Sequence, residues 1–178
     1  MRIKRVSETR VLALRWAFTL LLLTLVPLAS AQVSGTESLV GQEAPELERR
    51  DLIGKNLDLA QLHGKVVLLN FWATWCAPCQ VEMPVFAHWQ EQYGPSQLAV
   101  IGISMDDDSE PVRKMIQAQR IGYPVAMGDA KLGRRYGGVL GLPLTFLIDR
   151  SGIVRARFQG ETDPSKIEAS LRSLLATH

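Results

Sequence analysis

The feature that most constrains this chain is a run with no polar break except one amide, Val66-Val67-Leu68-Leu69-Asn70-Phe71, followed within five residues by Cys76-Ala77-Pro78-Cys79. A continuous apolar run of this length suits a strand covered on both faces, which requires layers above and below a sheet. Pro78 then opens a helix extending to about Tyr93, so the cysteines fall where strand gives way to helix. Unpaired backbone N–H groups and the positive end of the helix dipole meet there, and both favour thiolate over thiol. A cysteine so placed has its pKa drawn from about 8.5 into the range of ~3.5–7.5. Cys76 sits at that end, whereas Cys79 lies one turn on, towards the packed side. The asymmetry assigns attack on a partner disulfide to Cys76 and resolution of the mixed disulfide to Cys79.

These are the only 2 cysteines among 178 residues. A bridge between them closes too small a loop to restrain the unfolded chain much, and a chain of this length can bury a core without staples. The pair therefore reads as chemistry. The compartment follows from the first residues. Arg2, Lys4, Arg5, Arg10 and Arg15 stand against Glu8 alone, and Trp16 to Leu28 is apolar apart from Thr19, Thr24 and Pro27. Ala29-Ser30-Ala31 then presents small residues at both positions that a signal peptidase reads. Residues 1–31 are expected to be a secretory signal peptide and 32–178 one folded domain; an uncleaved anchor is the alternative, because Trp16 to Val33 could almost span a bilayer. Either way the folded part lies outside the cytoplasm. The formal charge of +2 is owed to the basic leader, so the remainder is slightly acidic and a nucleic-acid footprint is not supported.

Along the folded part, 32 to 45 lack periodicity, and Leu47 to Leu59 reads as a loose hairpin around Leu52-Ile53-Gly54-Lys55, with a turn at 60 to 64. Val81, Val85, Trp89 and Tyr93 mark the expected buried stripe of the first helix, which Pro84 is expected to kink. Leu98 to Ile103 is a second apolar strand. Ser109 is the expected cap of a helix to about Arg120, followed by a short strand from Tyr123 to Met127 and a short helix from Ala130 to Tyr136. Leu144 to Asp149 and Ile153 to Phe158 form an antiparallel pair across Arg150-Ser151-Gly152. Asp163 caps a last helix with the stripe Ile167, Leu171, Leu174 and Leu175. The order predicts an α/β sandwich, a largely parallel core sheet closed by a hairpin.

Two further side chains face the dithiol by spacing. Glu82, three residues after Cys79, could raise the thiol pKa and exchange its proton, or be a solvated helix glutamate. Asn70 could approach the site from below, or be a buried amide satisfied by backbone. The segment Asn70-Phe71-Trp72-Ala73-Thr74-Trp75-Cys76-Ala77-Pro78-Cys79-Gln80-Val81-Glu82-Met83-Pro84 resembles the active-site stretch of thioredoxin-fold thiol-disulfide reductases, above all the extracytoplasmic TlpA/ResA group. Gly141-Leu142-Pro143-Leu144-Thr145-Phe146-Leu147-Ile148-Asp149 resembles the same group's cis-proline segment, and the αβ unit from about Ser109 to Met127 resembles its central insertion. The resemblance implies a thioredoxin-like fold, a central mixed sheet flanked by helices with an N-terminal β-hairpin. It further implies redox cycling of Cys76 and Cys79, an acid role for Glu82, and a cis bond before Pro143. A substrate surface at Trp75, Pro78, Leu142 and Pro143 goes with it, the Leu142 backbone offering a strand edge. Asn70 stands where thioredoxin has a buried Asp, which shifts proton handling towards Glu82, and Ala77-Pro78 replaces thioredoxin's Gly-Pro.

Other signals weigh less. Zinc lacks a second ligand pair, since only His63, His88 and His178 accompany the cysteines, and covalent haem needs a histidine where Gln80 stands. Sco-type copper proteins resemble a longer cysteine spacing. Peroxiredoxins resemble a threonine three residues before the attacking cysteine, whereas Thr74 is two before Cys76. Asp106-Asp107-Asp108 reads as a solvated helix entrance, Lys131, Arg134 and Arg135 as a solvated face, and His88 as a surface residue. Gly137, Gly138 and Gly141 do not form a phosphate loop. Trp72 is expected in packing and Trp75 on the site rim. No cofactor is called for. The expected protein is a monomeric, periplasmic thiol-disulfide oxidoreductase that reduces substrate proteins such as apocytochrome c or oxidase-assembly proteins, and is itself reduced by a membrane thiol-disulfide donor. It would touch the membrane only through an uncleaved leader. An oxidant or isomerase with the same site, or a copper-binding assembly chaperone, are the alternatives.

Overall fold

A computed structural model describes residues 39–177; the leader read as a signal peptide lies outside them. The hairpin comes first, β1 (Glu48–Arg50) pairing antiparallel with β2 (Asn56–Asp58). Its loop is closed by the Asp51 carboxylate, which accepts from the Ile53 and Lys55 N–H groups at 3.0 and 2.8 Å, and by Gly54 at φ 85°. A 3₁₀ turn over Leu59–Leu62 leads into β3 (Val66–Trp72), whose seven residues are all buried. Then follow α1 (Ala77–Tyr93), β4 (Leu98–Ser104), α2 (Ser109–Ala118), β5 (Val125–Met127), α3 (Ala130–Arg135), β6 (Leu144–Ile148), β7 (Val154–Gln159) and α4 (Pro164–Ala176).

The five-stranded sheet runs β5-β4-β3-β6-β7. The β3–β4 and β4–β5 pairs are parallel, β3–β6 and β6–β7 antiparallel. The expected largely parallel sheet is thus half antiparallel, because the return from α3 enters the sheet beside β3 in the opposite sense. The mixed sheet implied by the resemblance is what forms. One face carries Val66, Leu68 and Trp72 against Met83, Phe86 and Trp89 of α1 and Ile167 and Leu171 of α4. The other buries Val67, Leu69 and Phe71 against Leu132, Tyr136, Phe146 and the hairpin's Leu47 and Leu57. Two apolar faces on one strand are what its unbroken sequence demands.

Two local expectations change. The stripe of α1 is Cys79, Glu82, Met83, Phe86 and Trp89, and Val81 is 69% exposed. A strict fourth-residue row drifts about 40° per step around a helix of 3.6 residues per turn, so a line that ends buried at Trp89 begins in solvent at Val81. Pro84 lies inside the helix, which continues to Tyr93, on its exposed side where water can reach the carbonyl it leaves free. The cap of α2 is Asp108, accepting from the Glu110 N–H at 3.0 Å, with Ser109 already helical. At α4 the expected cap holds: Asp163 accepts from the Ser165 N–H at 2.9 Å. No helix among the described residues is long and apolar enough to cross a membrane.

Candidate active site

The strand-to-helix junction delivers the dithiol. Cys76 is the N-cap of α1, with extended backbone (φ −92°, ψ 98°), and its Sγ accepts the Cys79 N–H at 3.3 Å. Ala77 and Pro78 fill the first turn, where a missing proline N–H costs nothing. The two sulfurs are bonded, 2.02 Å apart, with the Cα atoms 5.3 Å apart. Cys76 keeps 5% exposure and Cys79 none, so the second sulfur is closed to a partner. Trp75, 71% exposed, stands directly before it.

The loop carrying Trp75 is braced by contacts that sequence reading missed. The Asp106 carboxylate accepts from the Thr74 N–H at 2.9 Å, the Thr74 hydroxyl at 2.6 Å and the Ser104 hydroxyl at 2.7 Å. The Gln80 amide donates to the Thr74 carbonyl at 2.7 Å. Asp106 is therefore no part of a solvated run; only Asp107 and Asp108 are exposed. It ties the end of β4 to the segment that positions Cys76.

Glu82 is buried at 4% exposure rather than solvated. Burial pushes its carboxyl up from 4.5 to about 7; a hydrogen bond from the Thr162 backbone N–H opposes this, and the nearby Glu161 charge adds to it. A carboxyl poised near neutrality can accept or return a proton. The turn from Gly160 to Thr162 also reaches Pro143, since the Gly160 N–H donates to the Pro143 carbonyl at 2.8 Å. The Leu142–Pro143 bond is cis, Pro143 is buried, and half-buried Leu142 packs on the core cluster that contains both cysteines. Cys76, Cys79, Glu82 and Leu142-Pro143 are thus drawn together by α1, the start of β6 and one turn.

Asn70 lies on the face of β3 that α1 covers, the side of the dithiol, and its amide bonds a side chain rather than backbone. Its Nδ2 donates at 2.9 Å to the hydroxyl of Thr145, its cross-strand neighbour on β6. Thr145→Val keeps the side-chain shape and removes that partner. It should cost about 1–3 kcal/mol, read as a lower urea midpoint with unchanged slope; an unmoved midpoint would show the bond to be idle. Among the described residues no three His, Cys, Asp or Glu side chains gather as a metal cluster.

Residues 40–157 match the description of the AhpC/TSA family. The chain belongs to that family. A thiol-disulfide oxidoreductase ResA of Bacillus thuringiensis is 33% identical over 135 residues, spanning 76% of this chain and 78% of the relative. The thioredoxin-like protein YneN of Bacillus subtilis is 31% identical, spanning 74% and 78%. Among solved structures, a putative thiol:disulfide interchange protein DsbE from Chlorobium tepidum superposes with a TM-score of 0.71 at 29% identity, covering 77% of this chain and 98% of that one. The fold is thioredoxin-like. With the Cys76–Cys79 pair at bonding distance, this AhpC/TSA family member is a thiol-disulfide oxidoreductase.

Proposed function

We propose that the protein is an exported reductant of protein disulfides. The Cys76 thiolate attacks one sulfur of a substrate disulfide and expels the other as a thiolate, which takes a proton from solvent. Cys79 then gives its proton to Glu82 and attacks the Cys76 sulfur. The second substrate sulfur leaves reduced, and Cys76–Cys79 is left oxidised. Two electrons have passed to the substrate, and a membrane dithiol donor returns them. Trp75, Pro78 and Leu142 form the surface met by the substrate, with the buried Pro143 directly behind Leu142, and apocytochrome c and oxidase-assembly proteins are the proposed substrate classes. Export is supported by the basic, apolar and small-residue order of residues 1–31.

The observation that carries this reading is the placement of Cys76 at the first turn of α1 with Cys79 buried behind it. Equilibration of the dithiol against glutathione tests the direction, since about 30 mV corresponds to 1.4 kcal/mol. A potential below that of glutathione is expected. One well above it would make the protein an oxidant, and stoichiometric copper binding without any disulfide turnover would make it a metal chaperone.

A further inference from the structure

Among the described residues, the buried side-chain atoms without a hydrogen-bond partner are Asn70 Oδ1, Trp72 Nε1, Glu82 Oε2, Tyr123 OH and Gln119 Oε1. The first four belong to one layer. Asn70 lies on β3 between Leu68 and Trp72, on the face that α1 covers, and Trp72 and Tyr123 are members of that core cluster. Glu82 lies on the buried stripe of α1, between Cys79 and Met83. Buried polar atoms in native proteins are almost always paired, with protein or with ordered water.

Gly102 shows how close the groups come. It is the β4 partner of Asn70, and a Cβ there would stand 3.1 Å from Trp72 Nε1 and 3.2 Å from the Tyr123 ring. The indole N–H and the phenol therefore converge over a residue that offers no side chain. Glu82 comes from the opposite layer, on the stripe of α1 whose Cys79 and Met83 pack in the same cluster as Trp72 and Tyr123. The hydrogen-bond inventory is complementary: Trp72 Nε1 only donates, the Tyr123 hydroxyl donates, and Glu82 Oε2 and Asn70 Oδ1 accept. Water accepts two bonds and donates two, and a buried site with two to four polar partners is where structural water resides.

We infer that internal water joins the Tyr123 hydroxyl and the Trp72 indole N–H to the free oxygen of Glu82, making Tyr123 a positioning residue that sets the proton affinity of Glu82 from behind the dithiol. This rests on the proposed role of Glu82 for its meaning, though not for its test. The titratable groups around Glu82 are Cys79 on its own helix, Glu161 in the turn before α4, and Tyr123 in the core cluster that α1 covers; β3, β4 and β6 contribute only the neutral Asn70, Ser104 and Thr145 to this face. Donation through water favours the ionised carboxylate, so losing it must raise the Glu82 pKa.

The test uses the full oxidised chain, in which neither cysteine titrates. Carbon-13 label at the Glu82 carboxyl is followed against pH in wild type and Tyr123→Phe, which keeps the ring and deletes only the hydroxyl. An upward shift of about half to one pH unit is expected, the size of one modest hydrogen bond. A merely structural role leaves the inflection where it was, and an unchanged inflection overturns the proposal. In wild type, which needs no variant to fold, the Trp72 indole proton is expected to show magnetisation transfer from bound water. Absence of that transfer also overturns it. Because the titration is read with the disulfide closed, it stands apart from the redox reading, which fails instead if Glu82→Gln leaves the Cys79 titration unmoved.

Discussion

Cys79→Ala is expected to turn the enzyme into a trap. With Cys76 alone, attack on a substrate disulfide proceeds and one partner becomes linked through Cys76, but nothing remains to displace it. Multiple turnover disappears, and the linked species survives a non-reducing gel. Cys76→Ala should capture nothing, since the sulfur left behind, at Cys79, is fully buried. Neither change should unfold the domain: the bridge spans a sequence separation of 3, and closing so small a loop restrains the unfolded chain little. Mass mapping of the trapped complex identifies the sulfur and the partner together. Normal turnover by Cys79→Ala, or a link formed through Cys79 in the Cys76 variant, would reverse the division of labour.

Glu82→Gln should have the next largest effect, and its sign depends on pH. In the unfolded chain the Glu82 carboxyl ionises near 4.5, whereas burial holds it protonated up to about 7 in the folded protein. Between those values the native state binds more protons than the unfolded state, so this residue lowers stability as pH rises through that window. Above it the penalty is complete, on the order of 3 kcal/mol at about 1.4 kcal/mol per pKa unit. Glutamine mimics the protonated acid at every pH. The oxidised variant should therefore match wild type near pH 4 and exceed its stability near pH 8, as read by urea denaturation. In the reduced protein the same change removes a like charge beside Cys79 and should lower that thiol's pKa. A stability difference independent of pH would mean that the carboxyl is already ionised when folded.

The elements that sequence revealed are those whose signals are local. The unbroken apolar run of β3, the proline at the start of α1 and the Asp163-Pro164 pair at α4 each announce a strand, a helix start or a cap from adjacent residues. The dithiol was legible for the same reason, because the junction that places Cys76 is written in one short segment. What stayed hidden is pairing at a distance. Asp106 braces Thr74 across 32 positions and Asn70 meets Thr145 across 75, through sheet register that no local period encodes. Burial of Glu82 ran against its charge, and the fourth-residue row from Val81 drew attention to the wrong side of α1. Gly102 was a readable signal: a glycine inside an apolar strand marks close approach, here by Trp72 and Tyr123.

The first turn of α1 is expected to hold Cys76, and not Cys79, as the reactive thiolate. Alkylation of the reduced protein across a pH series, with each modified cysteine assigned by peptide mass, measures this directly. Cys76 should react first, with its midpoint inside the range of about 3.5–7.5 found for cysteines at helix N-termini. Prior modification of Cys79, or two sulfurs both titrating at or above about 8.5, would contradict it.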